Sequence, residues 1–536
     1  MNEDQVNDII QRWVRQQYSV PEDYQQFKSL GSTCLTECDS AQLLKFLQDE
    51  KNQTCSPDEL LHSLLELIEN IDPGAISETI LALVPHLQTV LLRLEDRKST
   101  YLGLALSALQ KQLSRLPVPY SQQQEEDDEH GLCRCCNAMA AFTKPFVEEV
   151  KRKNGNYMTS SEDEELRTVL LKFCMRSLRD PLLEAELNRD RRSSLWLFAT
   201  EIMVTLPAIQ ESLSELLFFN SLKKQTDNSQ SKESRACLAY LLFVQLITID
   251  SFPAVFSPVF VLQCNMEHIN QLLSRYAESH LLKGLALYAK SLESVQDNSL
   301  PVSLLELKSF YSVPRVRQRE SGLQLFQLFI NKLDAEAKHK FFRCMLKTSN
   351  HAGVESYIVK NIRNQVDFSM QPGNANKWFL GEEFLSLLGL VLCLPQGAET
   401  DLLNTMDRIM ESLNLLRYLL LRDKELRSTT DVWEELCRIK DEYLKMLRVC
   451  IGISRVHYSA ELKALREDQK LKAKEARDAA RSTRLVKSIT VKHESNMSPE
   501  VQHQVLQSAL VTFDLMESLI VRIKEITEEK NRLPQL

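Results

Sequence analysis

Apolar positions along this chain recur with a helical period. The clearest case follows Pro395-Gln396-Gly397, where Leu402, Met406, Ile409, Leu413, Leu416 and Leu420 step by four and three in alternation. That spacing gathers them on one stripe of a helix and leaves Asn404, Asp407, Arg408, Glu411 and Asn414 off it. A second case closes the chain. Ser498 is placed to cap a helix that starts at Pro499, and Val505, Ala509, Phe513, Met516, Ile520 and Ile523 form its apolar face. Strand-like alternation bounded by turn dipeptides is nearly absent.

Prolines punctuate this pattern at Pro85, Pro145, Pro181, Pro207, Pro301 and Pro395. Helices of about three to six turns joined by short loops are the expectation. The predicted class is all-α. Its predicted architecture is a HEAT/armadillo-like helical-repeat solenoid with irregular repeats, because stacked units need only an apolar face and no strict sequence repeat. An irregular helical bundle is the alternative. Ser121–Glu129, a glutamine and acid run, reads as a loop. Lys223–Ser234 is polar between two apolar blocks and is the candidate boundary between an N-terminal region, 1–225, and a C-terminal region, 235–536. Lys463–Arg481 alternates in charge with few apolar anchors and reads as a solvated helix or a mobile connection.

Glycine scarcity sharpens the class. There are 13 glycines in 536 residues, where roughly 7 % would be usual. Phosphate loops, barrels and sandwiches depend on glycine at turns, so few of them fit here. No two glycines are separated by a single residue, and no Gly-Lys pair occurs. G-x-G-x-x-G, G-x-S-x-G and the P-loop are therefore excluded. H-E-x-x-H is absent as well. The ten histidines are dispersed with no visible nucleophile partner. No cofactor and no enzymatic activity are expected.

Charge and cysteine set the surroundings. The formal net charge of -8 gives no global attraction to nucleic acid. The 13 cysteines are scattered through apolar runs and follow a polar, acidic start, which reads as reduced core thiols of a cytoplasmic protein. Cys34 and Cys38, four apart, are expected to be buried thiols. His130, Cys133, Cys135 and Cys136 are the best metal candidate. They lack a second spaced ligand pair, so no metal is expected. The longest apolar stretches, Ala236–Ile249 and Phe384–Leu394, fall short of the ~20 residues that span a bilayer, and no membrane insertion is expected.

The C-terminal half mixes cations with aromatics. Arg363, Lys377, Arg408, Arg417, Lys445 and Arg448 lie among Trp378, Tyr418, Trp433, Tyr443 and Tyr458. Trp, Tyr and Arg anchor protein interfaces. A solvated charged face over an aromatic core gives the same pattern.

Several strings resemble the glomulin family: Gly103–Ser107, Leu116-Pro-Val-Pro-Tyr120, Gly131–Cys136, Thr143–Val150, Thr348–His351, Asn376-Lys-Trp378-Phe, Gly397–Leu403, Ser412–Tyr418 and Phe513-Asp-Leu. They run in collinear order from near residue 60 to near 525. The resemblance implies a HEAT-like fold and an inhibitor of cullin-RING ubiquitin ligases. Such a protein binds the RING finger of the RING-box subunit, with its cullin, through C-terminal repeats and so excludes the ubiquitin-conjugating enzyme. It also implies links to immunophilins and a growth-factor receptor kinase, which make a general scaffold the alternative function, and a place in the cytoplasm and also the nucleus. The expected partner-binding residues are Arg363, Arg408, Lys445 and Arg448 as a charged rim, Trp378 and Tyr458 as anchors, and Asn414 and Arg417 beside them. Two passages, Lys51–Pro57 and Val313–Leu323, are shorter than the family pattern.

Overall fold

The computed structural model of the protein describes residues 57–94, 97–153, 161–187, 191–219, 231–275, 277–305, 320–422, 430–481 and 499–532. Cys34, Cys38, Ser498 and most of the passages at 51–57 and 313–323 lie outside them. Among the described residues the fold is all-helical, and the one β-like feature is an isolated parallel bridge between Leu300 and Leu333.

The helices are α1 (Pro57–Glu69), α2 (Ile76–Arg93), α3 (Lys98–Leu113), α4 (Gln122–Asp127), α5 (Leu132–Lys153), α6 (Ser161–Arg179), α7 (Ser194–Ala208), α8 (Lys232–Phe243), α9 (Pro258–Leu273) and α10 (Glu278–Glu293). They continue with α11 (Val302–Leu305), α12 (Glu320–Lys332), α13 (Ala335–Thr348), α14 (Ala352–Ser369), α15 (Lys377–Leu380), α16 (Glu382–Val391), α17 (Leu402–Leu421), α18 (Thr430–Arg481) and α19 (Pro499–Arg532). Many begin on a side-chain cap. Ser193, Ser231, Ser257, Asp334 and Asp401 each accept a bond from a backbone N–H two or three residues on, satisfying donors that the helix itself leaves open.

Three of the prolines read as breaks instead lie inside helices: Pro85 in α2, Pro145 in α5 and Pro207 in the last turn of α7. Proline removes one N–H and frees the carbonyl four residues back. At Pro145 that carbonyl belongs to Ala141, and Gln88 of α2 donates its side-chain amide to it at 3.1 Å, and to Phe142 O at 2.9 Å. A neighbouring helix thus replaces the lost donor. Ser121–Glu129 is likewise more than a loop. Ser121 caps α4, and Glu125 accepts from Leu195 N at 2.8 Å, at the start of α7. Lys463–Arg481 continues α18 as helix.

The chain forms two compact units. One holds residues up to 296 together with 307–332, and the other holds 297–306 and 333–536. The division falls near 297 and 333; most of Lys223–Ser234, the candidate boundary, lies outside the described residues. α8, which follows that polar stretch, packs on α6 and on α9 and α10 of the same unit. Within the first unit neighbours recur in order: α2 on α5, α3 on α6, α5 on α7, α6 on α8. In the second, α14 packs on α17, α17 on α19, and α18 on α19 and on the turn Gly397–Glu399.

α19 carries a stretch, Glu500–Glu529, long and apolar enough to cross a membrane by length and composition. Charges interrupt that stretch, so it does not read as one apolar run. One face of it, Leu506, Ala509, Phe513, Met516, Ile520, Ile523 and Ile526, is buried where the helix packs on α17 and α18, while Val501, Val511, Leu515 and Val521 are exposed. Val505, expected on that face, is exposed, and Leu506 takes its place.

Candidate protein-binding site

α18 runs for 52 residues and is apolar on two sides. Its inward side buries Leu436, Tyr443, Leu444, Leu447, Cys450 and Ile451. The outward side carries Met446, Val449, Ile453 and Val456, spaced by three, four and three, which aligns them as one stripe. All four are exposed, Val449 at 50 % and Val456 at 73 %. Lys445, Arg448, Gly452 and His457 are exposed beside them. Among the described residues no ion pair or side-chain hydrogen bond engages Lys445 or Arg448. Single exposed apolar residues are ordinary, but a row of four on one rigid helix is not.

Tyr458 marks the far end of this face and is half-buried. Its hydroxyl donates to Asp401 Oδ1 at 3.0 Å, and its ring lies 6.0 Å from that of Phe513. Asp401 caps α17, accepting from Leu403 N at 3.0 Å and Asn404 N at 3.3 Å. Burial works to raise the Asp401 pKa, but these bonds and that from Tyr458 outweigh it and hold the carboxyl below its usual range. The Tyr458 phenol is pushed up to about 12 by burial and by the Asp401 carboxylate. It therefore stays a proton donor. Tyr458 pins α18 to the start of α17 and offers a partner only its exposed edge.

Arg408 is not a rim charge. It is 7 % exposed. Its Nη1 lies 2.9 Å from Glu355 Oε2, and its Nη2 donates to Leu390 O at 2.9 Å. The guanidinium ties α14, α16 and α17 together. Its place follows from a second buried row on α17, formed by Arg408, Ser412, Leu415 and Leu419. α17 has α14 on one side and α18 and α19 on others, so positions off the first stripe are covered as well.

The remaining expected residues fall into separate groups. Arg363 is half-buried one turn before Asp367 on α14, and Asp367 accepts from the Tyr418 hydroxyl of α17. Asn414, half-buried, precedes Tyr418 by one turn, and Arg417 is exposed beside it. Trp378 is half-buried on the one-turn helix α15. Its ring is 5.3 Å from that of His339, and Lys377 Nζ sits 5.0 Å from its centroid. Lys445 and Arg448 are thus the expected residues that the structure sets beside the apolar stripe. Sequence reading missed the stripe itself, although Met446-x2-Val449-x3-Ile453-x2-Val456 carries its signal as a second apolar row on a helix already supplied with one.

The cysteine cluster is core. Cys133, Cys135 and Cys136 are buried on α5. The Asp128 carboxylate caps that helix, accepting from Cys133 N at 2.9 Å and Arg134 N at 3.0 Å. Burial first, and then the Asp128 charge, push the Cys133 and Cys135 thiols up to about 12. Among the described residues no group of three His, Cys, Asp or Glu is placed to hold a metal ion.

A rigid helical scaffold with a solvent-facing apolar row beside unpaired cations has the make-up of a protein-binding surface. The chain belongs to the YAP/Alf4/glomulin family, whose model matches residues 52–509. It is 42 % identical to human Glomulin over 577 positions, covering 95 % of this chain and 94 % of that protein. It is 41 % identical to mouse Glomulin over 576 positions, with the same coverage. The 577 aligned positions exceed the 536 residues of the chain, so the human relative carries segments that this chain lacks.

Proposed function

We propose that the protein is a non-catalytic inhibitor of cullin-RING ubiquitin ligases, and that the outward stripe of α18 docks on the RING finger of the RING-box subunit. The observation that carries this reading is the exposed row Met446, Val449, Ile453 and Val456 with Lys445 and Arg448 free beside it. A RING finger offers its conjugating enzyme a small apolar patch. A competitor needs apolar contact ringed by charged and hydrogen-bonding groups, and α18 supplies both on one rigid element. The similarity to Glomulin over nearly the whole chain supports the assignment. The ordered packing of α2 on α5, α3 on α6 and α6 on α8 supports a HEAT-like stack as the frame.

The test is capture of a purified RING-box–cullin complex, followed by ubiquitin-chain synthesis. Wild-type protein is expected to slow synthesis, and excess conjugating enzyme is expected to relieve the block. Val449→Glu combined with Val456→Glu changes exposed side chains, so the fold is expected to hold. Truncating or charging a central anchor typically costs ~2 kcal/mol or more of binding, roughly a thirtyfold loss or greater. Capture by the double variant at wild-type strength would remove the stripe from the interface.

A further inference from the structure

α18 continues past the residues that pack it. Leu462 is the last of its described residues to be buried, and from Lys463 to Lys474 every side chain is exposed or half-buried. This is the charged stretch that reads in the sequence as a solvated helix, and its charges are laid out in order. Lys463, Arg466, Lys470 and Lys474 step by three, four and four, which sets them on one side of the helix. All four are exposed. Carried back at the same spacing, the row passes Ser459, Arg455, Gly452, Arg448 and Lys445 and meets no acid. Two of its cations are engaged by α19. Arg455 lies 2.6 Å from Asp514 and 2.9 Å from Glu517, and Arg466 Nε donates to His503 Nε2 at 3.1 Å. Among the described residues no ion pair or side-chain hydrogen bond engages Lys463, Lys470 or Lys474. Of the two acids in this stretch, Asp468 lies across the helix and reaches Lys472 at 3.9 Å, and Glu467 borders the row, exposed.

Such a row is costly to the helix that carries it. Like charges three and four residues apart repel and destabilise the turn, and beyond Leu462 no buried side chain offsets that cost. A facing row of negative charge relieves it. The chain carries a net charge of -8, so the row is a local reversal of sign, which attracts an acidic partner to this place alone. The spacing identifies the carrier of that negative charge. The cations follow one another at about 4.5 or 6 Å along the axis. Carboxylates at three- and four-residue steps on a second helix match that interval, whereas same-face residues of an extended strand fall about 7 Å apart. A nucleic-acid groove encloses a helix and would bring phosphates against Glu467 and Asp468. No aromatic residue lies between Ser459 and Lys474 to stack on a base. A membrane surface needs a continuous apolar face, and Leu465 and Leu471, six apart, fall on different sides of the helix.

We propose that α18 from Lys463 to Lys474 docks an acidic helical segment of another protein, one that carries Glu or Asp at three- and four-residue steps along one face. Lys463, Lys470 and Lys474 meet those carboxylates, and Arg466, held by His503, lies in line with them. This surface is separate from the apolar stripe, which ends at Val456 about two turns earlier.

The test uses the full chain and two fluorescent peptides, each about five helical turns long and built from the same numbers of alanine, glutamine and glutamate. One sets its glutamates on a single face at three- and four-residue steps. The other spreads them around the helix. The one-faced peptide is expected to bind saturably, to weaken steeply as salt is added, and to protect the backbone amides of residues 463–474 from hydrogen exchange. Lys463→Glu with Lys470→Glu should weaken it about tenfold or more. Should charge reversal unfold that end of the helix, as circular dichroism will show, the neutral pair Lys463→Gln with Lys470→Gln decides, and it should weaken binding several-fold. Equal binding of the two peptides, equal binding by wild type and variants, or no protection at 463–474 overturns the proposal. Tighter binding of a short DNA duplex or of phosphatidylserine vesicles than of the one-faced peptide, lost in the same variants, also overturns it, in favour of that ligand.

Discussion

Arg408 and Glu355 form an ion pair that water scarcely reaches, with side chains 9 % and 8 % exposed. Removing two charges from water is expensive, so such a pair contributes little net stability against an apolar pair of equal size. Breaking it is different, because the survivor is a buried charge without a partner. Arg408→Ala is expected to destabilise the second unit by about 3–5 kcal/mol, read as a lowered midpoint in chemical denaturation. Arg408→Met with Glu355→Leu should recover most of that loss. A single variant as stable as wild type would show that the pair is hydrated in solution. Gly131 is a residue-scale constraint of another kind. Its φ is +70°, and a Cβ there would lie 2.5 Å from the Ser77 Cβ, so both backbone freedom and absence of a side chain are needed where α5 meets α2.

At the scale of the element, α18 serves two surfaces with one helix. Its inner row holds it against α16, α17, α19 and the Gly397–Glu399 turn, and its outer row faces solvent. Gly452 sits in the helix interior on the outer side, and a Cβ there would meet nothing within 4 Å. Glycine costs a helix interior roughly 0.5–1 kcal/mol relative to alanine. Gly452→Ala is therefore expected to raise stability by about that amount in thermal denaturation. Because Gly452 adjoins Val449, Ile453 and Val456, the same variant should also change RING-box capture if the stripe is the docking surface. A stability gain with unaltered capture would mean that the partner does not approach the helix closely at this point.

At the scale of the molecule, residues 297–306 belong to the second unit although a segment of the first follows them in sequence. Asp334 N donates to Leu300 O at 3.0 Å, and the Lys338 ammonium, buried in the second unit, is met by Asn298. Burial depresses the Lys338 pKa to about 8, which is the mark of an ammonium short of solvation. A fragment that starts at Leu333 loses Asn298 and leaves that cation with fewer partners. It is expected to melt at a lower temperature than a fragment starting at Asp297. The longer fragment should capture the RING-box–cullin complex as the full chain does. A folded 297–536 fragment that fails to capture it would place the docking surface in the first unit.

Much of the architecture was legible in the sequence. Of the α17 stripe, Leu402, Ile409, Leu413, Leu416 and Leu420 are buried and Met406 is half-buried, and glycine scarcity pointed to helices. Those signals are local, set by side-chain spacing along one element and by backbone freedom at turns. What only the tertiary structure decided was which other faces are covered. Arg408 reads as a solvent cation until α14 and α16 close over it, because a charge carries no sign of a distant carboxylate. Pro145 reads as a helix break until Gln88, far away in sequence, supplies a donor near it. Met446, Val449, Ile453 and Val456 form a second apolar row, missed in the sequence, whose exposure shows only once the inner row of α18 is seen to pack. A stripe of apolar residues states that something covers it or will cover it, and only the fold shows whether that cover lies within the chain.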